Sequence, residues 1–195
     1  MQTQTVQTAR LGAQLLPQGG VAFSVWAPTV ARMDLKLGTG RVLPMRKDED
    51  GYFFAHVDEA KAGDRYFYLL DGEKERPDPA SRFQPDGVHG ASQVMDPGFK
   101  WTDGKWSAPD LKEFVFYELH TGTFTPEGTF DGIRSKIAYL KKLGVNCIEI
   151  MPVSQFPGAR NWGYDGAALY AVQDSYGGPE ALKRLVNECH RQGIA

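Results

Sequence analysis

The sequence lacks the features that would assign it to several special classes of protein. It has only 2 cysteines, Cys147 and Cys189, whose separation matches neither a zinc site nor a redox motif, so we expect two buried, reduced thiols. It has no run of about 18 apolar residues that could span a bilayer, and no apolar run of signal-peptide length at its start. These absences predict a cytoplasmic protein with no membrane partner.

The sequence also lacks any concentration of one charge. The formal net charge is −2, and the charged residues are distributed along the chain, which argues against a nucleic-acid partner and against an acidic tail. The glycines do not follow the spacing of a dinucleotide-binding or phosphate-binding loop, and the four histidines do not form a metal-binding pair. We therefore expect no cofactor, no metal ion, and a partner that is small or neutral.

The first hundred residues alternate between apolar and polar side chains in short runs. This alternation occurs in residues 21–26, 31–37, 52–57 and 65–70, and turn residues separate the runs. Short strands at this spacing predict an antiparallel β-sandwich. Proline, aspartate and glycine are frequent from residue 77 to 98, which predicts an irregular covering loop, followed by a linker.

A different pattern begins after Pro109. Residues 114–120 and 145–153 are apolar runs typical of buried parallel strands, and each precedes a helical pattern, the first over 130–143 and the second beginning at Gly178. A third strand is expected from Ile194. This order predicts domains at 1–107 and 108–195, the second being the first two βα units of a barrel that would need about 250 residues to close. We therefore expect a fragment of a longer protein, truncated before the third strand.

Four stretches then suggest a family. They are PDPASRFQPDGVHG at 77–90, FYELHTGTF at 116–124, GVNCIEIMP at 144–152 and NWGYDG at 161–166. In this order they resemble the trehalohydrolase branch of the α-amylase superfamily, glycoside hydrolase family 13. The resemblance implies a multidomain fold with an N-terminal immunoglobulin-like β-sandwich followed by a catalytic (β/α)8 TIM barrel.

The resemblance also implies a function for the full-length protein. A family member of this branch would be a glycosidase of trehalose biosynthesis, a part of carbohydrate metabolism. It would release trehalose from maltooligosyltrehalose, an α-glucan, by retaining hydrolysis of an α-1,4 bond. In such enzymes the nucleophile, the acid/base and a further carboxylate follow the fourth, fifth and seventh strands of the barrel. No catalytic residue is therefore carried over to this chain, which we expect to be inactive alone.

The resemblance does imply substrate-binding residues. Tyr164 corresponds to a residue that packs against the sugar ring beside the scissile bond, and an aromatic ring suits the apolar C–H face of a pyranose. Trp162 and Asp165 are candidates beside it, since a carboxylate accepts hydrogen bonds from sugar hydroxyls. The alternative is that the aromatic residues only anchor a long loop. His120 ends the first strand at the same edge, and either lines the pocket or is a hydrogen-bonded histidine of the barrel.

Other interpretations stay open at this point. Glu118 and Glu149 lie in the first two strands, but they are mid-strand, so we expect partnered structural carboxylates rather than a catalytic pair about 5 to 5.5 Å apart. A glycogen branching enzyme, which transfers a cut α-1,4 chain to form an α-1,6 bond, is the enzymatic alternative. A non-catalytic glucan-binding module, with the β-sandwich as the functional part, is the alternative from another class.

Overall fold

The computed structural model describes residues 11–195. Contacts between residues divide the chain into two compact units, the first ending at Asp96 and the second beginning at Pro97. No helix among residues 11–195 is long and apolar enough to cross a bilayer.

Residues 11–96 form nine β-strands in two antiparallel sheets. The strands are β1 (Gly12–Leu15), β2 (Val21–Trp26), β3 (Met33–Leu37), β4 (Val42–Pro44), β5 (Arg46–Lys47), β6 (Tyr52–Val57), β7 (Arg65–Leu70), β8 (Lys74–Arg76) and β9 (Ser92–Gln93). One sheet has the order β1-β2-β6-β5, and the other has the order β4-β3-β7-β8 with β9 also paired to β7. The predicted strands over 21–26, 52–57 and 65–70 are confirmed.

Alternate residues of both sheets form a single hydrophobic core. Phe23 and Val25 of β2 are buried against Leu35 of β3, and Phe53 of β6 is buried with them. Successive side chains of a strand point to opposite faces, so this alternation places one face of each sheet in the core. Trp26, on the opposite face of β2, is exposed.

The irregular segment after β8 is held to this core by a buried carboxylate. Asp78 accepts hydrogen bonds from the hydroxyl groups of Tyr66 (2.6 Å) and Tyr68 (3.3 Å) and from the backbone amide of Ala80 (2.8 Å). Its own amide donates to the hydroxyl of Ser92 (2.8 Å). Burial raises the pKa of Asp78, and the hydrogen bonds to its carboxylate partly oppose this change.

Residues 97–195 contain four strands and four α-helices. The elements are β10 (Phe116–Leu119), α1 (Thr121–Phe124), α2 (Phe130–Arg134), α3 (Ile137–Leu143), β11 (Cys147–Ile150), β12 (Ser154–Gln155), β13 (Ala168–Val172) and α4 (Gly178–Arg191), with short 3₁₀ turns at Leu111–Glu113 and Asp174–Tyr176. β10 and β11 pair in parallel, with Tyr117 opposite Ile148. The backbone of Ala195 continues this pattern, since its amide donates to Asn146 and its carbonyl accepts from Ile148 (2.8 Å each).

The single helix predicted over 130–143 is wrong, because two helices occupy this stretch. The hydroxyl of Ser135 donates to the carbonyl of Gly132 (2.7 Å), and the amide of Lys136 donates to Ile133 (2.8 Å), which tightens the turn and ends α2. Ile133, Ile137 and Leu140 are buried, as predicted. Leu143, predicted to be buried, is 58% exposed.

The segment predicted as a linker packs on α4. The ring of Trp106 stacks on His190 with centroids 3.8 Å apart, and His190 Nδ1 lies 2.6 Å from a carboxylate oxygen of Asp103. The amide of Thr102 donates to the side chain of Asn187 (2.8 Å). These residues therefore belong to the second compact unit, and the domain boundary at residue 107 stays a prediction.

Candidate functional site

The loop between β12 and β13 lies against the carboxyl ends of the two parallel strands. Gly163 shows how close the approach is, because a Cβ atom built on it would lie 2.8 Å from the ring of Pro152, just beyond β11. Gly163 also has a φ of +98°, a conformation that favours glycine. The backbone conformation therefore requires glycine at this position, and the loop lies at the carboxyl ends of parallel strands, where α/β proteins commonly bind ligands.

Asn161 organises the turn of this loop. Its side-chain oxygen accepts the amide of Gly163 (2.6 Å), an Asx turn, and also lies 3.5 Å from the amide of Asp165. Its side-chain nitrogen donates to a carboxylate oxygen of Asp165 (2.9 Å). The Asn161 side chain thus forms hydrogen bonds with both neighbours of Tyr164 in the sequence. Asn161 was not predicted to be a site residue, although asparagine is a typical turn residue whose side chain can bond the backbone two residues on.

His120 connects β10 to this loop. Its Nε2 lies 2.5 Å from the carbonyl oxygen of Asn161, and 3.2 Å from the hydroxyl of Tyr176. A carbonyl oxygen is only an acceptor, so Nε2 carries the hydrogen. Nδ1 lies 3.3 Å from the hydroxyl of Thr123, which can donate to it. The imidazole is 5.4 Å from the ring of Trp162, measured between centroids.

A cavity of about 480 Å³ opens beside His120. Its lining includes Thr123, Arg160, Asn161 and Trp162. The lining combines hydroxyl, guanidinium and amide groups with the rings of His120 and Trp162. This composition suits a polyhydroxylated ligand.

The two aromatic residues of the loop are exposed. Trp162 is 64% exposed and Tyr164 is 81% exposed. A residue that anchors a loop by burial would be covered, so the loop-anchor interpretation has no support from their exposure. The structure brings His120 and Trp162 together at the cavity, with ring centroids 5.4 Å apart, and Asn161 joins His120 to Asp165 by hydrogen bonds. Tyr164 lies on the same turn, but it is not among the residues that line the cavity.

Two buried glutamines hold the base of the loop. Gln155 exchanges two hydrogen bonds with Asp174, donating to the carboxylate (2.9 Å) and accepting from the amide (3.0 Å). Gln173 accepts from the amide of Phe156 (2.9 Å) and donates to the carbonyl of Gly158 (3.0 Å). The ends of this long loop form a short antiparallel pair, β12–β13, which was not predicted from the sequence. The only sign of these two residues in the sequence is that Gln155 and Gln173 each lie next to an apolar residue.

Glu118 and Glu149 are opposite one another in the parallel pair. Both are exposed, on the face away from the buried Leu119. Neither forms an ion pair within residues 11–195. Within residues 11–195 neither carboxylate has the partner that the sequence led us to expect, because the strand face that carries them is open there.

The cysteines differ in burial. Cys189 is buried in α4, and burial raises the pKa of its thiol to about 12, so the thiol is protonated at neutral pH. Cys147 is only partly buried, contrary to expectation, and desolvation also raises its pKa. No group of three metal-binding side chains occurs in the described part of the chain.

Comparisons with known proteins identify the family of this chain. Residues 59–195 match the family described as alpha-amylase, catalytic domain. The chain is 51% identical over 92% of its length to a malto-oligosyltrehalose trehalohydrolase from Saccharolobus solfataricus, and 29% identical over 95% to a 1,4-alpha-glucan branching enzyme from Pseudoalteromonas atlantica. A crystal structure of a Salmonella typhimurium protein assigned as an alpha amylase superposes on 95% of the chain with a TM-score of 0.91 and 41% identity, and the match covers 32% of that protein.

The parallel strands, the loop at their carboxyl ends and the matched segment together define the class. The chain belongs to the alpha-amylase family. It spans 32% of the length of the trehalohydrolase that it matches and 30% of the branching enzyme.

Proposed function

We propose that the chain is the N-terminal part of a retaining α-glucan hydrolase that releases trehalose from maltooligosyltrehalose. The observation that carries the proposal is the loop of exposed aromatic residues at the ends of two parallel strands, in a chain of this family. The relative named a trehalohydrolase, 51% identical over 92% of the chain, supports the substrate. In this proposal the two sheets are an immunoglobulin-like sandwich, and residues 108–195 begin a (β/α)8 barrel.

The proposed site binds the sugar ring beside the scissile bond. The Tyr164 ring covers the apolar C–H face of a pyranose, and Trp162 adds a second aromatic surface at the cavity. Asp165 uses one carboxylate oxygen to accept from Asn161 and the other to accept from a sugar hydroxyl. His120 lines the cavity. These four residues bind and orient substrate, and none of them transfers a proton or forms a covalent bond.

We place the chemistry on carboxylates outside this chain. In a retaining mechanism one carboxylate attacks the anomeric carbon as the leaving oxygen takes a proton from a carboxylic acid, which forms a covalent glycosyl-enzyme intermediate. Water then hydrolyses this intermediate, and the carboxylate that gave up its proton takes one from the water. Glu118 and Glu149 are mid-strand on an open face, away from the loop at the strand ends. They are not assigned these roles, and the 195-residue chain is proposed to be inactive alone.

The product test uses the full-length protein. It is incubated with maltooligosyltrehalose and, separately, with amylose, and the products are separated by chromatography. Free trehalose from the first substrate, with no new α-1,6 bonds in the second, supports the proposal. New α-1,6 bonds without trehalose favour the branching activity named for the relative that is 29% identical.

The alternative function, glucan binding by the first sheet, is favoured by aromatic side chains on the outer face of that sheet. Trp26 is 56% exposed and lies opposite Tyr52, whose ring stacks on Phe54 with centroids 6.2 Å apart. The indole N–H donates to the carbonyl of Asp50 (3.1 Å), which fixes the ring. Affinity electrophoresis of the chain and of Trp26→Ala in a glycogen gel tests this candidate. Equal migration with and without glycogen excludes it.

A further inference from the structure

We propose that Asn161 is a positioning residue that holds Tyr164 in its sugar-facing place, through a donor–acceptor pairing with Asp165. The inference rests on the proposed function of Tyr164. It concerns a residue that does not itself touch the substrate.

The side chain of Tyr164 is not restrained by a polar or ring contact within residues 11–195. It is 81% exposed, and no hydrogen bond, ion pair or ring contact reaches it from the other described residues. Its direction must therefore be set by the backbone on either side, from Gly163 to Asp165. An exposed ring on an unrestrained backbone would sample many directions, and ordering it on binding would reduce affinity.

Asn161 restrains the backbone on both sides of Tyr164. Its oxygen accepts the amide of Gly163 at 2.6 Å, and its nitrogen donates to the carboxylate of Asp165 at 2.9 Å. Its own carbonyl oxygen accepts from His120 at 2.5 Å, at the end of β10. The direction of the Tyr164 ring is thus connected, through Asn161, to the end of strand β10.

This pairing needs one donor and one acceptor. In the native loop residue 161 supplies the N–H donor and residue 165 supplies the carboxylate acceptor. In Asn161→Asp the amide of Gly163 keeps an acceptor, but two carboxylates then face each other at hydrogen-bond distance. Such a pair repels when both are ionised and shares a proton at lower pH. In the double variant Asn161→Asp/Asp165→Asn, donor and acceptor exchange positions, and every hydrogen bond can form again.

The experiment measures kcat and KM of the full-length enzyme on maltooligosyltrehalose for four proteins between about pH 5 and about pH 8. They are the wild type, Asn161→Asp, Asp165→Asn and the double variant. Asp165→Asn is the reference for the double variant, because it controls for any contact between the Asp165 carboxylate and the sugar. Each variant's kcat/KM is divided by that of its reference at the same pH, which removes the titration of the catalytic groups.

We expect Asn161→Asp to lower kcat/KM about tenfold or more at neutral pH, since a displacement of about 1 Å at a site can reduce rate by about 100-fold. The loss should shrink as the pH falls and the facing carboxylates share a proton. The same substitution in the Asp165→Asn background should cost less than about threefold at every pH, because the pairing is restored. An equal cost in both backgrounds, or a cost independent of pH, overturns the proposal.

A second measurement separates this proposal from the proposed function. Hydrogen exchange of the amides of Gly163 and Asp165 reports loop order without substrate. Faster exchange in Asn161→Asp, reversed in the double variant, supports the positioning role even if Tyr164→Ala retains full activity, a result that would remove only the sugar-binding role of Tyr164. Unchanged exchange in Asn161→Asp, in a protein with the wild-type melting temperature, overturns the positioning role.

Discussion

The imidazole Nε2 of His120 lies 2.5 Å from the carbonyl oxygen of Asn161, which joins the end of a parallel strand to the aromatic loop. His120→Phe keeps a ring beside Trp162 but removes the donor, whereas His120→Gln keeps an N–H donor of similar reach. This hydrogen bond is only partly buried, and the net loss of a typical hydrogen bond is about 0.5 to 1.5 kcal/mol. We therefore expect His120→Phe to lower kcat/KM of the full-length enzyme about tenfold, and His120→Gln to lower it less. Steady-state kinetics on maltooligosyltrehalose measures both, and a greater loss in His120→Gln would contradict the hydrogen-bonding role.

Gly163 offers a test of how tightly the loop approaches Pro152. Gly163→Ala introduces a Cβ atom 2.8 Å from that ring at a φ of +98°, whereas Gly158→Ala, in the same loop, has a φ of +77° but open space around it. A left-handed conformation alone costs about 1 to 2 kcal/mol. We expect Gly158→Ala to lower the free energy of unfolding by this amount and Gly163→Ala to lower it further, in urea denaturation followed by circular dichroism. Equal losses would mean that the loop is not packed on Pro152.

The raised pKa of Asp78 predicts that the stability of the first compact unit depends on pH. Because burial raises the pKa of its carboxyl group, the folded chain binds the proton more tightly than the unfolded chain does. The stabilisation is therefore fully present below the ordinary pKa of 3.8, and it is lost as the pH rises through the raised pKa. Asp78→Asn cannot titrate. We expect the free energy of unfolding of the wild type, minus that of Asp78→Asn, to fall as the pH is raised from about 3 to about 8.

Tyr66→Phe provides the second arm of this test. The Tyr66 hydroxyl donates to the Asp78 carboxylate at 2.6 Å and so opposes the rise in its pKa. Removing the hydroxyl should raise the pKa of Asp78 further and move the loss of stability to higher pH. A difference between wild type and Asp78→Asn that is constant with pH would show that Asp78 has the same pKa in the folded and unfolded chain.

The strands were predictable because their signal is local. Val21 to Val25 alternate in a period of two, and a sheet with one buried face imposes that period. The strand β11 was predictable from another local signal, a nearly continuous apolar run. The break between α2 and α3 was not predictable, because the apolar period continues through Ser135. The helix is interrupted by hydrogen bonds from the Ser135 hydroxyl to Gly132 and from the Lys136 amide to Ile133.

The site was only partly predictable. Tyr164 and Trp162 were found through a family resemblance, and their exposure agrees with a surface for ligand. Asn161 was missed because its role depends on distance to Asp165 and to His120, which is 41 residues away. The short pair β12–β13 was missed because it is stabilised by Gln155 and Gln173, whose partners no local pattern indicates.

The central claim is that Tyr164 binds the sugar, and Tyr164→Ala tests it most directly, with Tyr164→Phe as the matched control. An 81% exposed side chain contributes little to folding, so both variants should keep the wild-type melting temperature within a few degrees. Loss of an aromatic surface complementary to the sugar should lower kcat/KM of Tyr164→Ala about 100-fold, and Tyr164→Phe, which keeps the ring, should lose far less. The measurement is kcat/KM for trehalose release by the full-length enzyme, divided by the folded fraction. A lower melting temperature in Tyr164→Ala with normal activity per folded molecule would show that the ring anchors the loop, and would contradict the account.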